Sequence, residues 1–213
     1  MDKTHLSRSA YIETTYQMMT QEGVGKVSIR KIAAALGCSS AALYKHFDNL
    51  EHLITYASIR YLVAYMQELN RGLARKNDAL TSHFLVWEAF AKHSFKNVLI
   101  YNNLFFGPYS GSLSEIIRDY YSMFGAELSD INNRAMAFWQ EGDFVKRDLI
   151  MVNMCIEEGF FLPKHAKMIN LLDIHIYKGA MKNVLDNPAM DIDLARHQFL
   201  SCLSAALGPY VLR

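Results

Sequence analysis

Apolar positions recur at helical spacing along nearly the whole chain, and neither the two-residue alternation of a half-buried strand nor an internal repeat competes with them. A first helix is expected over about residues 7 to 21, with Ile12, Thr15, Tyr16 and Met19 on its inner face and Gly23 and Gly25 ending it. From residue 49 the stripe Leu50, Leu53, Ile54, Ala57, Tyr61, Leu62, Tyr65, Met66 and Leu69 continues without a break, so one long helix should run toward residue 75. Past Asp78 the pattern stays helical, punctuated by Gly107-Pro108, Gly111, Gly125, Gly142, Gly159, Pro163, Asn187-Pro188 and Gly208-Pro209. The last two long segments, about 164 to 186 and 191 to 211, are joined by a short Asn-Pro loop and should pack antiparallel. The pattern predicts an all-α protein.

Between the first and the long helix lies the run SIRKIAAALGCSSAALYKHF, residues 28 to 47. Two short helices meeting at a steep angle need a small residue at the crossing, a turn that admits a left-handed backbone and an apolar residue closing the corner. Ala33, Gly37 and Leu43 stand at those three places. Ser28 is a good N-cap for the first of the pair, and Val27 can staple onto Ile32. Ser39 would cap the second, which is expected to reach about residue 47, and Asp48 with Glu51 would open the helix that follows. A glycine-joined helix pair also occurs as a plain corner of a helical core. Against that, the outward face of the second helix carries Ser39, Ser40, Tyr44, Lys45 and His46, donors suited to phosphates and base edges.

At these residues, and over roughly residues 8 to 56, the chain resembles the TetR family of bacterial transcriptional regulators, most closely in the closing run Leu43, Tyr44, Lys45, His46, Phe47. The resemblance implies a three-helix helix-turn-helix DNA-binding domain, placed at residues 1–50, and a larger helical effector-binding and dimerisation domain at 51–213. It further implies that Ser28, Tyr44 and His46 meet the phosphate backbone, while Arg30, Ser40, Ala42 and Lys45 lie where base edges are reached. Where the family has Gly or Pro and then Thr, this chain has Ala41 and Ala42, which exchanges a polar base contact for contact with a thymine methyl. Leu50 stands where a lysine is usual and removes a phosphate contact.

Composition narrows the picture further. A chain of 213 residues, half of them hydrophobic, can bury a sizeable core. Residues 1 to 60 hold seven Lys or Arg against five Asp or Glu, so DNA is expected to be held through a limited set of phosphate contacts and not by bulk charge. Cys38, Cys155 and Cys202 are widely spaced and suggest neither a disulfide framework nor a zinc site. The polar start and the lack of a long apolar run point to a cytoplasmic protein with no membrane partner.

The final helix pair resembles the family's dimer-forming pair, with Ile169, Leu172, Ile176 and Ala180 on one helix and Leu200, Leu203, Leu207 and Tyr210 on the other as interface candidates for a homodimer. The alternative, less favoured because helix-turn-helix regulators usually read paired half-sites, is that these residues close the domain's own core. Residues 84 to 139 are rich in aromatics, which ordinarily means core packing. The resemblance implies a cavity for a small-molecule effector here, with Trp87, Phe90, Tyr101, Phe105, Tyr120, Phe124 and Trp139 as candidate walls suited to an apolar or aromatic compound. His83 and His93 sit about 15 Å apart along one helix, too far to share a metal. Those two, with His165 and His175, read as satisfied or exposed histidines, and no metal or other cofactor is expected. Ser110, Ser112 and Ser114 have no base or orienter, so no catalytic site emerges.

The favoured reading is a dimeric, effector-released repressor of a palindromic operator in double-stranded DNA. A DNA-binding activator or architectural factor is the nearest alternative. A helical small-molecule-binding protein or enzyme with a vestigial helix-turn-helix is the more distant one.

Overall fold

The computed structural model describes residues 6–73, 77–125 and 141–212, and the described residues form ten α-helices. Helix α1 spans Arg8–Glu22, α2 Ile29–Ala35, α3 Ser40–Leu43 and α4 Leu50–Leu73; α5 spans Ala79–Lys96, α6 Val98–Phe106 and α7 Leu113–Phe124. Three more complete the chain: α8 Phe144–Glu157, α9 Ala166–Asp186 and α10 Ile192–Leu207. The all-α expectation and the order of the long helices hold.

Side-chain caps define most of the starts. Ser7 accepts from the Ala10 amide ahead of α1, Asp78 from Thr81 ahead of α5, Asp143 from Val145 and Lys146 ahead of α8, and Asp191 from Asp193 and Leu194 ahead of α10. The start of α4 differs from expectation. Asn49, not Asp48, satisfies its first turn, with Asn49 Oδ1 accepting from the His52 amide at 2.9 Å. Helix α1 buries Tyr11 together with Ile12, Thr15 and Met19, whereas Tyr16 is only half-buried beneath the Arg60 guanidinium, 4.6 Å from its ring centroid.

Helix α4 is the spine. Its 24 residues reach about 36 Å, and Leu53, Ala57, Leu62, Tyr65, Met66 and Leu69 are sealed along its length. It packs on α1 and also on α5, α6 and α7, so the amino-terminal helices and the larger helical body share one continuous element. Behind it α5 is sandwiched by α8 and α10, and α9 closes the layer against α8 and α10. The core centres on Phe90, whose ring meets Tyr65, Tyr101, Phe105, Phe144 and Tyr177 at centroid distances of 5.1 to 5.6 Å. Among the described residues, no helix is long and apolar enough to cross a membrane.

Helices α9 and α10 pack antiparallel as expected, but their apolar residues divide between two roles. Ile169, Leu203 and Leu207 are fully enclosed in the chain's own core, which removes them as contacts for a second copy. Leu172, Ile176, Ala180, Leu200 and Tyr210 are half-buried, and the exposed apolar residues nearby are Met168, Leu171 and Leu194. The inner and outer stripes of a helix are both apolar here, and the helical period alone does not tell which faces inward.

Candidate nucleic-acid interface and effector cavity

The α2–α3 unit is built as its sequence demands. Ser28, in extended backbone conformation, accepts from the Lys31 amide at 3.4 Å and starts α2. The helix stops at a Schellman turn: Gly37 takes φ +64°, its amide bonds to Ala34 O at 3.2 Å, and the Cys38 amide reaches back to Ala33 O at 2.9 Å. Ile32, Ala33, Leu43 and Phe47 are all buried, so the inner face of the pair is closed against α1 and α4.

Helix α3 is shorter than the pattern suggests. Regular α-helix ends at Leu43, and the Lys45 and His46 amides bond three residues back, to Ala42 O and Leu43 O, before Phe47 returns to Leu43 O. The chain therefore continues to Phe47 in tightened turns. Ser39 sits at the cap position in extended geometry, but its hydroxyl makes no capping bond.

Of the residues assigned to DNA, Arg30, Ser39, Tyr44 and Lys45 are exposed, Tyr44 at 54%. Ser28, Ser40, Ala42 and His46 are half-buried, and the His46 ring rests 5.4 Å from that of Tyr11. All eight belong to the one α2–α3 unit. Leu50 is half-buried against the core, which gives the apolar residue at that place a packing reason.

A second cluster, which sequence reasoning missed, ties this unit to the larger body. Arg8 at the start of α1 pairs with Asp119 of α7, and its guanidinium lies 4.3 Å above the Tyr56 ring. Tyr56 of α4 donates its hydroxyl to the same carboxylate at 2.6 Å, and burial together with that bond raises the phenol above its ordinary range. Nearby, Tyr109 stacks on His52 at 4.6 Å and accepts from Asn49 Nδ2 at 2.8 Å. Burial lowers the His52 imidazole although Asp48 pulls it the other way, and His52 Nδ1 accepts from the Asp48 amide at 3.2 Å. Only a fold that brings α1, α4 and α7 together could reveal this cluster, because its members are scattered along the chain.

The aromatic region behaves mainly as core. A small cavity of about 20 Å³, space for roughly one water, is lined by Tyr65, Trp87, Phe90, Phe144, Arg147 and Met151 with the Asp148 carboxyl. Of the expected walls, Trp87 and Phe90 border it. Tyr101, Phe105 and Tyr120 are buried in packing, and Phe124 is half-buried against Tyr120 at 4.6 Å. Trp139 lies outside the described residues. The charged members of the wall, Arg147 and Asp148, were not anticipated. Asp148 follows Lys146 and Arg147 and reads as one more solvated charge, whereas Asp173 gave a signal, standing between Leu171-Leu172 and Ile174.

The histidines also depart from expectation at one position. His93 is satisfied by Glu68 at 2.9 Å, and His175 is exposed with Nδ1 2.8 Å from Leu171 O. His83 is neither satisfied nor exposed, being fully enclosed with no hydrogen-bond partner for either ring nitrogen.

Comparison with known proteins bears on the same region. Residues 12–57 match the family described as bacterial regulatory proteins, tetR family. An uncharacterised helix-turn-helix transcriptional regulator of Mycobacterium tuberculosis is 31% identical over 90 residues, 41% of this chain and 41% of that protein. A second regulator from that species is 31% identical over 74 residues, covering 35% of this chain and 33% of its own length. The chain thus matches less than half the length of these relatives. In fold the likeness runs end to end. The TetR-type repressor FadR of Thermus thermophilus, solved with lauroyl-CoA, aligns at TM-score 0.59 and 12% identity over 94% of this chain and 95% of that one. SmeT, the repressor of a Stenotrophomonas maltophilia multidrug efflux pump, aligns at TM-score 0.54 and 18% identity over 99% and 93%.

Proposed function

We infer that this chain, which belongs to the TetR family of transcriptional regulators, acts in the cytoplasm as a dimeric repressor that leaves a palindromic operator when a small apolar or aromatic effector binds. The family is not enzymatic, and regulation of transcription through a helix-turn-helix is its shared activity. The observation that carries the finer reading is the split of the α2–α3 unit into a sealed inner face and an outer face offering Arg30, Ser39, Tyr44 and Lys45 to a partner. A short polar wedge on a rigid base suits the major groove, which admits a helix and displays a distinct donor and acceptor pattern for each base pair.

Two such wedges reading a palindrome must sit roughly 34 Å apart on one face of the duplex. The outward stripe of α9 and α10, with Met168, Leu171, Leu172 and Ile176, supports a pairing surface for the second copy. FadR binds lauroyl-CoA and SmeT has been solved with triclosan, both apolar or part-apolar compounds. The aromatic body around Phe90 suits the same chemistry, although its present cavity must widen to take more than a water. An effector that prefers the widened body shifts α4 and α7. The shared Arg8–Asp119–Tyr56 contact then carries the shift to α1 and the recognition unit, with a coupling of about 1 to 3 kcal/mol.

Footprinting of the full chain on DNA upstream of its own and neighbouring genes is the direct test. A two-fold protected site of two half-sites is expected, and absence of any protected site at low salt would remove the reading. A reporter driven by that site then separates repression, where deletion of the gene raises output, from activation, where it lowers it.

A further inference from the structure

Three ionisable side chains outside the DNA-binding unit meet where α5, α8 and α9 converge. His83, Asp148 and Asp173 each offer one ligand atom, and these atoms lie within 4.8 Å of one another. His83 and Asp173 are fully enclosed, and Asp148 is 7% exposed. Asp148 is held in place from outside the cluster, accepting from Trp87 Nε1 at 3.1 Å and from Asn170 Nδ2 at 2.7 Å. The other two are not. His83 Nε2 stands 3.2 Å from Asp173 Oδ2 without forming a hydrogen bond, neither ring nitrogen of His83 has a partner, and the Asp173 carboxyl leans only on that of Asp148 within the cluster. A buried polar group left in that way is costly, and with one atom from each of the three side chains within 4.8 Å of the others the cluster calls for something that satisfies it at a single point.

We propose that His83, Asp148 and Asp173 form a binding site for one divalent transition-metal ion of the zinc, nickel or manganese class. One imidazole and two carboxylates match such ions, which take nitrogen and oxygen ligands readily, better than calcium or magnesium, which favour oxygen alone. Bonds of about 2.0 to 2.2 Å place ligand atoms roughly 3 to 4 Å apart, so a small side-chain adjustment closes the present spacing around an ion. Trp87 and Asn170 act as the outer partners that orient a ligating carboxylate. Because Asp148 also borders the small cavity, an ion here keeps coordination positions open toward it, and ion binding clamps three helices of the effector body. The site stands independently of whether the chain binds DNA.

The test uses the full chain stripped with a chelator and then titrated separately with Zn²⁺, Ni²⁺ and Mn²⁺, followed by calorimetry and by elemental analysis after desalting. One equivalent per chain is expected for at least one ion, with a rise in the melting midpoint. In a Trp139→Phe background the emission of Trp87, hydrogen-bonded to Asp148, should change on the same titration. Asp173→Asn and His83→Gln should each weaken binding more than about tenfold, the lower end of what even outer-partner changes do. Far-UV circular dichroism of the variants shows whether they fold. Metal-free Asp173→Asn should melt no lower than the metal-free parent, because it removes a buried carboxylate without creating a cavity. Substoichiometric uptake of all three ions, or binding that both variants leave unchanged, overturns the proposal.

Discussion

At the scale of single residues, backbone geometry and exposure decide what the recognition unit can tolerate. Gly37 occupies φ +64°, and a Cβ there would meet nothing within 4 Å, so replacement strains the backbone without a clash. Gly37→Ala should therefore lower stability by about 1 to 2 kcal/mol in urea melts, the usual penalty for a left-handed alanine. Lys45 is the exposed cation of the recognition segment. If it reads a base, Lys45→Ala should relax preference at one position of each half-site by about 1 to 3 kcal/mol in binding to a randomised operator library. A uniform loss across sequences with a shallower salt dependence would assign it to phosphate instead. Here the sequence was informative: the Ser28 cap, a lone glycine and a small crossing residue act through local geometry that neighbours in the chain define, whereas Ser39, at the second cap position, makes no capping bond. It was less informative about His46, whose place beside Tyr11 depends on how α1 lies across the unit.

Among elements, α4 matters most because both bodies of the protein pack on it. Its apolar stripe was readable without a structure, but its attachments were not. Glu68 joins α4 to α5 through Lys92 and His93, each at 2.9 Å. Burial alone would raise this carboxyl, yet its bonds to Lys92 and His93 outweigh that and lower it below its usual 4.5. A lowered carboxylate contributes stability above its unfolded value, and that contribution disappears as the pH falls through the folded value. The parent should thus lose melting temperature on acidification below about pH 4.5 more steeply than Glu68→Gln, in scans at matched ionic strength. Equal slopes would show that the contact is too solvent-exposed to count. The shortness of α3 was not foreseen either, because Ala-Ala-Leu-Tyr favours helix locally while the Lys45 and His46 amides, bonded three residues back, tighten the final turns.

For the whole molecule, the testable features are contacts between bodies and between copies. Asp119→Asn keeps the shape of the side chain but removes the charge that Arg8 and Tyr56 share. It should leave the operator sequence unchanged while reducing the factor by which an effector weakens DNA binding, measured by operator titration with and without effector. An unchanged factor would place the coupling route elsewhere. On the outer face of α9, Leu171→Arg puts a charge into the exposed stripe beside Met168 and, if the proposed dimer pairs there, is expected to shift it to monomer in sedimentation velocity. Persistence of the dimer would move the interface off this stripe.

Taken alone, the chain's own order of residues settled the all-α class, the helix-turn-helix pattern with its likeness to the tetR family, and which stretches form the long helices. Those properties rest on helical period, caps and turn chemistry, all of them interactions among residues a few places apart. Tertiary structure decided which apolar stripe of α9 and α10 faces inward, which aromatics border a cavity instead of filling the core, and which charges meet. The convergence of His83, Asp148 and Asp173 belongs to that second group, since it depends on how three helices cross, and crossings are set by the packing of side chains between elements that no local pattern encodes.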